Sequence, residues 1–240
     1  MKDTEPKRIA ELLAGNPYPG RGIAVGMSED GRSMSFAYFI MGRSENSRNR
    51  ILVREGDSLF TRPFDESKVK DPSLIIYRAA RFLPHSVVVT NGDQTDTIFE
   101  AMSRGESFED ALLTRTFEPD APNYTPRISA LLRLSDEAPS YRMSVLKRDG
   151  DTGDCDRAFF DYVARPAFGH LVHTYQTDGN PLPSFVGSPR ECFFPNEPEE
   201  LGDALWRALD EENKISLYVC YADRKTGALH DALYNKNQAK

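Results

Sequence analysis

The sequence predicts an α+β fold in which antiparallel sheets are covered by helices. Strand-like segments dominate up to residue 91, helical segments follow, and strand-like segments resume near residue 140. Because strands and helices come in runs and not in alternating βαβ units, antiparallel sheets are favoured over a parallel one. We expect one domain over residues 18–240, preceded by an accessory helix within residues 1–17.

The first part of the chain predicts one helix followed by strands. Residues 4–14 favour a short helix, with Thr4 as a candidate N-cap and Gly15 as its end. A turn is expected at NPYPGRG. The runs RGIAVGM and SMSFAYFIMG then predict two strands with a hairpin-like connection at SEDGR, and further strands are expected at residues 51–54 and at HSVVVTN.

The middle of the chain has helical periodicity. Apolar residues recur at helical spacing from Thr95 to Arg104 and from Ser107 to Phe117. Ser107 with Asp110 predicts a capping box, and Thr125 followed by proline predicts the start of a third helix. The remaining predicted elements are strands at YRMSVLKRD, AFFDYVA and GHLVHTYQ, a helix near 197–212 and a last strand at ISLYVCYA.

Composition narrows the class of protein. A hydrophobic fraction of 39% and a charged fraction of 28% are typical of water-soluble proteins. The charged N-terminus does not resemble a secretory signal, so a cytoplasmic location is expected, with no membrane contact. A formal net charge of −7 argues against non-specific nucleic-acid binding, whereas a local arginine cluster could still hold one phosphate.

Cysteine and histidine usage argues against a metal centre. The three cysteines are far apart, which fits neither a disulfide framework nor a structural zinc site. His170 and His173 are three apart in a predicted strand, so their side chains should point to opposite faces. We therefore expect no metal and no cofactor.

Three segments carry more polar functionality than a core or a plain surface requires. In residues 42–50, Arg43 and Arg50 beside Ser44 suit a phosphate monoester, although a solvated charged loop is the alternative. In residues 90–97, Gly92 permits close backbone approach to a ligand, and a simple capped turn is the alternative. In residues 123–127, Arg127 falls in a predicted first helical turn, which the helix dipole disfavours unless an anion or a carboxylate such as Asp120 is near.

These segments together resemble the archaeal-type IMP cyclohydrolase family. The resemblance implies a fold like that of the N-terminal nucleophile hydrolases, a four-layer αββα sandwich with two antiparallel sheets between helices. It implies no terminal nucleophile, because the place of that residue reads Tyr18-Pro19-Gly20-Arg21 and follows seventeen residues. The matching stretches are YPGRGIAVG (18–26), Arg43-Ser44 with Asn49-Arg50, VVVTNGDQTDTI (87–98), YTPRISALL (124–132) and HTYQTDG (173–179).

The resemblance implies closure of 5-formamidoimidazole-4-carboxamide ribotide to IMP with loss of water, the last step of purine biosynthesis. The implied partner is a purine ribonucleotide, and a homo-oligomer stays open. Two alternatives are a non-catalytic purine-nucleotide-binding relative and an amidohydrolase of the same fold.

Site roles follow from the same resemblance. Arg43, Ser44 and Arg50 are expected to bind the phosphate, with Arg127 or Arg21 as a further cation. Asn91 and the Gly92 N–H would polarise a substrate oxygen. Tyr77 would transfer a proton and Asp96 would orient it or act as base, the alternatives being a core-edge aromatic and a helix cap. The other residues of the matching motifs expected to bind substrate are Asn49, Thr95 and Thr125.

Overall fold

The computed structural model describes residues 6–69, 76–135 and 137–237. Its strands form two antiparallel sheets with few helices, which confirms the α+β class. None of the helices in these ranges is long and apolar enough to cross a membrane. The helices are α1 Ile9–Leu13, α2 Glu45–Arg48, α3 Gln94–Ser103, α4 Phe108–Leu113 and α5 Pro198–Ala208, with a 3-10 turn at Glu66–Lys68.

Within the described residues, thirteen strands are distributed over two sheets. The strands are β1 Arg21–Met27, β2 Ser33–Met41, β3 Arg50–Glu55, β4 Ser58–Pro63, β5 Arg78–Leu83, β6 Ser86–Thr90, β7 Arg127–Arg133, β8 Ser140–Arg148, β9 Cys155–Val163, β10 Phe168–His173, β11 Arg190–Phe193, β12 Lys214–Asp223 and β13 Leu229–Asn235. The first sheet has the order β11-β10-β1-β2-β12-β13, and the second has the order β3-β4-β5-β6-β7-β8-β9.

Side-chain alternation places the core on both faces of each sheet. In β1, Ile23 and Val25 contact residues of the second sheet, whereas Ala24 faces a cluster that contains α1 and α5. In β6, Val87 and Val89 face the first sheet and Val88 packs against α3 and α4. The strands at the centre are therefore buried on both sides, which explains their nearly continuous apolar sequences.

Several predicted element ends agree with the structure. The Ser107 side chain and the Asp110 backbone and side chain form the predicted capping box at the start of α4. Gly15 follows α1 with φ +76°, a left-handed conformation that suits glycine after a helix. The candidate cap Thr4 lies outside the described residues. Sequence periodicity missed β4, β5, β11 and β13. Of these, β11 has four residues and β13 is mostly exposed, so neither carries a clear buried alternation.

The predicted third helix at Thr125–Pro126 is wrong, because β7 begins at Arg127. Residues 127–133 pair with β6 on one side and β8 on the other. Ile128 and Ala130 face the first sheet while Leu131 faces the helices, so burial on two faces outweighs the local helix-start signal. Arg127 is thus a strand residue, and the helix-dipole argument does not apply to it.

The two histidines of β10 point in different directions, as their odd spacing predicts. The His170 ring stacks on Tyr162 with 3.7 Å between centroids, and its Nδ1 lies 2.8 Å from the Tyr141 hydroxyl. His173 is 3% exposed, and its Nδ1 lies 2.9 Å from the Tyr175 carbonyl oxygen. Burial lowers the pKa of His173 to about 4 from its ordinary 6.5.

We expect the free energy of unfolding to fall as the pH drops from about 6.5 to about 4. In that window the unfolded chain binds a proton at His173 that the folded chain excludes, so protons favour unfolding, and a complete shift is worth about 3 kcal/mol. His173→Asn keeps a donor toward the Tyr175 carbonyl but does not titrate. Denaturant unfolding at pH 7 and pH 4.5 should show a smaller loss for this variant than for the wild type or for the exposed-site control His85→Asn; equal losses in all three would contradict the assignment.

Candidate functional site

A pocket of about 240 Å³ opens where β1 begins and β2 ends. Five of the residues expected to bind substrate share it, namely Arg21, Arg43, Ser44, Arg50 and Thr125. They come together because β1 and β2 are hydrogen-bonded neighbours and α2 returns the chain to the start of β3 beside them. The full lining is Tyr18, Gly20, Arg21, Met41, Arg43, Ser44, Ser47, Arg50, Asp120, Asn123, Thr125, Tyr175 and Leu182.

Arg50 is a buried cation on this pocket. It is 2% exposed, and its guanidinium donates to the carbonyl oxygens of Ser47 at 2.8 Å and Met41 at 3.3 Å. Among the described residues no carboxylate forms an ion pair with Arg50. Burial lowers its pKa, and the nearby Arg21 lowers it further. A buried charge of this kind is costly unless an anion neutralises it, so the pocket favours an anionic ligand.

Arg43 and Ser44 lie at the mouth of the pocket. The Arg43 side chain is 35% exposed, and its guanidinium forms an ion pair with Asp178 and lies 4.9 Å from the centre of the Tyr18 ring. Ser44 caps α2, where its hydroxyl oxygen accepts from the Ser47 N–H at 3.1 Å. Both side chains can be reached by solvent and by a ligand.

Arg21 connects the pocket to a second polar cluster. Its Nη2 lies 2.8 Å from each carboxylate oxygen of Glu118, which is 3% exposed. Burial raises the pKa of Glu118, while Arg21 and Arg127 oppose that rise. The buried Nε of Arg21 has no hydrogen-bond partner in the described part of the chain. Arg21 therefore lines the pocket with a guanidinium that Glu118 holds in place.

Arg127 belongs to that second cluster. Its Nη1 donates to the Gln94 side-chain oxygen at 2.6 Å and forms a 2.7 Å ion pair with Asp93. A Cβ on Gly92 would lie 2.6 Å from the same nitrogen, so any side chain at position 92 would displace the Arg127 guanidinium. Electrostatic contact with Glu118 links Arg127 to Arg21, yet Arg127 itself does not line the pocket.

The turn between β6 and α3 uses its polar groups internally. The buried Asn91 side chain donates to the Pro126 carbonyl at 2.9 Å and accepts from the Ile128 N–H at 2.8 Å. The Gly92 N–H donates to the Thr90 hydroxyl oxygen at 3.2 Å, and the Thr90 and Thr95 hydroxyls lie 2.7 Å apart. The expected polarisation of substrate by Asn91 and Gly92 does not fit this geometry, because these groups hold the turn against β7.

Asp96 and Tyr77 do not meet. The Asp96 carboxylate accepts from Arg78 at 2.9 Å at the start of α3, whereas the Tyr77 hydroxyl lies 2.7 Å from that of Tyr38 between the sheets. The expected orientation of Tyr77 by Asp96 is therefore not possible in this arrangement. Tyr77 instead interacts electrostatically with both Arg21 and Arg50, which line the pocket, although Tyr77 itself does not.

Asn49 has a structural environment. Its side-chain nitrogen donates to the Asp65 carbonyl oxygen and its side-chain oxygen accepts from the Asp65 N–H, each at 2.8 Å. Asn49 is buried and does not line the pocket. The nitrogen and the oxygen of its side-chain amide therefore both serve to hold residue 65 beside the start of β3.

Sequence reasoning missed several residues around the pocket. The Tyr18 and Tyr175 rings stack with 5.9 Å between centroids, and the Thr125 hydroxyl is hydrogen-bonded to both Tyr175 and Asp120. Burial raises the pKa of Tyr175 to about 12. Both tyrosines lie in the stretches YPGRG and HTYQTDG, but only the folded arrangement brings these stretches together.

Two larger clefts lie near the turn between β1 and β2, at the end of these strands that is remote from the pocket. Their volumes are about 710 and 850 Å³, and they share the turn residues Asp223, Arg224 and Lys225. Their lining is mainly exposed turn and strand-end residues, and no buried unpaired cation opens into them within the described ranges. The pocket of about 240 Å³ is thus a better candidate site than either of these two clefts. The described residues also contain no group of three or more potential histidine, cysteine or carboxylate ligands for a metal.

Comparison with known proteins identifies the family to which the chain belongs. IMP cyclohydrolase of Methanopyrus kandleri is 30% identical over 181 residues, which cover 70% of this chain and 89% of that protein. IMP cyclohydrolases of Methanothrix thermoacetophila and Methanocella arvoryzae are each 35% identical, over matches that cover 48% of this chain and 57% of each relative. The family described as IMP cyclohydrolase-like protein matches residues 18–226, which include every residue of the pocket. The chain therefore belongs to the IMP cyclohydrolase-like protein family.

Proposed function

We propose that this protein is an IMP cyclohydrolase, which closes 5-formamidoimidazole-4-carboxamide ribotide to IMP with loss of water. The observation that carries the proposal is Arg50, a buried guanidinium without a carboxylate partner among the described residues, on a pocket that also contains Arg21 and Arg43. A phosphate monoester supplies the missing negative charge. Membership of the family supports the particular nucleotide.

The phosphate is assigned to the wall formed by Arg50, Arg43 and Ser44. A guanidinium offers forked donors that match phosphate oxygens, and the low exposure of Arg50 strengthens that interaction. The Ser44 hydroxyl, at the exposed start of α2, adds a neutral donor. Because Arg50 is held by two backbone carbonyls, its position is set before the ligand arrives.

The purine precursor is assigned to the side of the pocket formed by Tyr18 and Tyr175. Their rings provide flat apolar surfaces, while Asn123 and Asp120 provide polar edges. A volume of about 240 Å³ lies below the range of roughly 300–1,000 Å³ typical for drug-sized ligands, which favours one mononucleotide over a larger molecule.

Ring closure needs orientation and charge stabilisation more than a nucleophile from the protein. The carboxamide nitrogen attacks the formyl carbon of the same molecule, and negative charge develops on the formyl oxygen. That oxygen leaves as water, with one proton from the carboxamide nitrogen and one from the formamide nitrogen. Arg21, which lines the pocket and is held by Glu118, is the cation that we assign to the developing charge.

Most of the remaining predicted residues do not line the pocket, and we assign them to positioning the residues that do. We assign Tyr77 with Tyr38 to the buried layer next to Arg21 and Arg50. We assign Arg127 to the charged cluster around Glu118. Asn91, Gly92 and Thr95 are assigned to the turn that packs against β7. Thr125 positions Tyr175 and Asp120 through its hydroxyl group.

We further infer the four-layer αββα arrangement and its likeness to the N-terminal nucleophile hydrolases. The support is that α1 and α5 belong to the cluster on the outer face of the first sheet, while α3 and α4 belong to that on the second. We also propose residues 18–240 as one catalytic domain with residues 1–17 as an accessory segment. The family match begins at residue 18, and α1 packs against α5 and β11.

An absorbance assay of ring closure tests the function directly. Purified protein with 5-formamidoimidazole-4-carboxamide ribotide should produce IMP stoichiometrically, at a rate proportional to protein concentration. Release of formate with the 5-aminoimidazole product would instead indicate an amidohydrolase. Tight binding of IMP without turnover would indicate a non-catalytic relative.

A further inference from the structure

A segment of residues 174–185 folds back over the mouth of the pocket. Its two ends are joined by hydrogen bonds from Gln176 N–H to the Pro183 carbonyl at 2.8 Å and from Phe185 N–H to the Thr174 carbonyl at 3.0 Å. The Leu182 N–H donates to the Asn123 side chain at 3.0 Å, which docks the segment on the far wall. The tip of the segment therefore has a defined position beside Arg43.

The tip of the segment brings the carboxylate of Asp178 into contact with Arg43, one of the three arginines that line the pocket. Asp178 forms an ion pair with Arg43, whose Nη1 also donates to the Gly179 carbonyl oxygen at 3.0 Å. The two side chains are 35% and 47% exposed, in contrast to the nearly buried Arg50. An ion pair this exposed is weak and can be exchanged for another anion at small cost.

We propose that Asp178 is an internal anion that occupies Arg43 until the nucleotide phosphate displaces it, and that it thereby sets the affinity for phosphorylated ligands. This inference rests on the proposed function, because it uses the same phosphate wall. A carboxylate carries one negative charge, whereas a phosphate monoester carries nearly two at neutral pH and can reach Arg50 as well. A weakly held single charge thus yields to a phosphate monoester more readily than to a monoanion.

Displacement need not unfold the segment. The hydrogen bonds at residues 174–176 and 182–185 do not involve Asp178, and Arg43 can keep its bond to the Gly179 carbonyl. Asp178 also accepts from the Gly179 N–H at 3.0 Å, a bond that an asparagine oxygen can preserve. Asp178→Asn therefore removes the charge with little change in the backbone.

Calorimetric titration with inorganic phosphate, IMP and inosine tests the proposal. We expect Asp178→Asn to lower the Kd for phosphate and for IMP by about two- to five-fold and to leave inosine binding unchanged. Asp178→Ser should shift both in the same direction, which guards against an effect peculiar to asparagine. The matched control is Asp203→Asn, which removes an exposed carboxylate from its 3.1 Å pair with Arg207 on α5 and should change none of the three.

The effect should depend on Arg43. In an Arg43→Ala background, Asp178→Asn should no longer tighten phosphate binding; persistence of the gain, or an unchanged or higher Kd in the single variant, would overturn the proposal. The test of Asp178 can be distinguished from the test of the proposed ring-closing activity. Tighter phosphate binding without ring closure would reject only the proposed reaction, and ring closure without tighter binding would reject only the role of Asp178.

Discussion

Arg50→Met should lower kcat/KM for ring closure by about 100- to 1,000-fold, as expected when one partner of a desolvated charge pair with the ligand is lost. Arg50 is 2% exposed and, among the described residues, has only carbonyl oxygens as hydrogen-bond partners, so the phosphate would be its main neutralising group. Methionine retains an unbranched apolar side chain of similar length but removes the charge. Because phosphate contacts are made both before and during the reaction, we expect most of the loss to appear in KM.

A matched substitution separates this effect from a general disturbance of β3. Arg54→Met changes the same residue type on the same strand, where the guanidinium lies 4.1 Å from the centre of the Phe82 ring and away from the pocket. Steady-state kinetics should show wild-type values for Arg54→Met. Near wild-type kcat/KM in folded Arg50→Met, checked by circular dichroism, would remove Arg50 from the phosphate wall and with it the main support for the proposed function.

Local sequence patterns predicted the parts of the fold whose causes are local. The strands β1 and β2, the α4 capping box and the left-handed Gly15 each depend on alternation, a three-residue spacing or one backbone conformation. Arg43 and Arg50 could be grouped because they lie in one short segment, whereas Arg21 was added through the family resemblance. The helix predicted at Thr125 failed because Pro after Thr is also compatible with a strand entry, and pairing with β6 and β8 decided the outcome.

Long-range contacts account for what the sequence could not predict. Glu118, Tyr175 and Asp178 are each separated from their pocket partners by many residues, and no period or motif joins them. The same limitation affected Asn91 and Asp96. Their residue types suit a catalytic site, yet the folded chain commits Asn91 to backbone groups and Asp96 to arginines that do not line the pocket. Residue type predicts chemical capacity, whereas hydrogen-bond partners decide how that capacity is used.

Glu118→Gln should be more destabilising than the other substitutions proposed above. We expect it to lower the free energy of unfolding by about 3–5 kcal/mol, because it leaves the buried Arg21 without its carboxylate. It should also lower kcat while changing KM little, since Arg21 is assigned to charge that develops only during ring closure.

Glu109→Gln is the matched control. The Glu109 carboxylate binds Arg142 at 2.9 Å through both oxygens, but that pair is about 30% exposed. Its loss should therefore lower the free energy of unfolding by less than about 1 kcal/mol. Urea unfolding measures the first effect and steady-state kinetics the second. Equal stability losses in the two variants, or a Glu118→Gln enzyme altered only in KM, would show that Glu118 does not position Arg21 for the reaction.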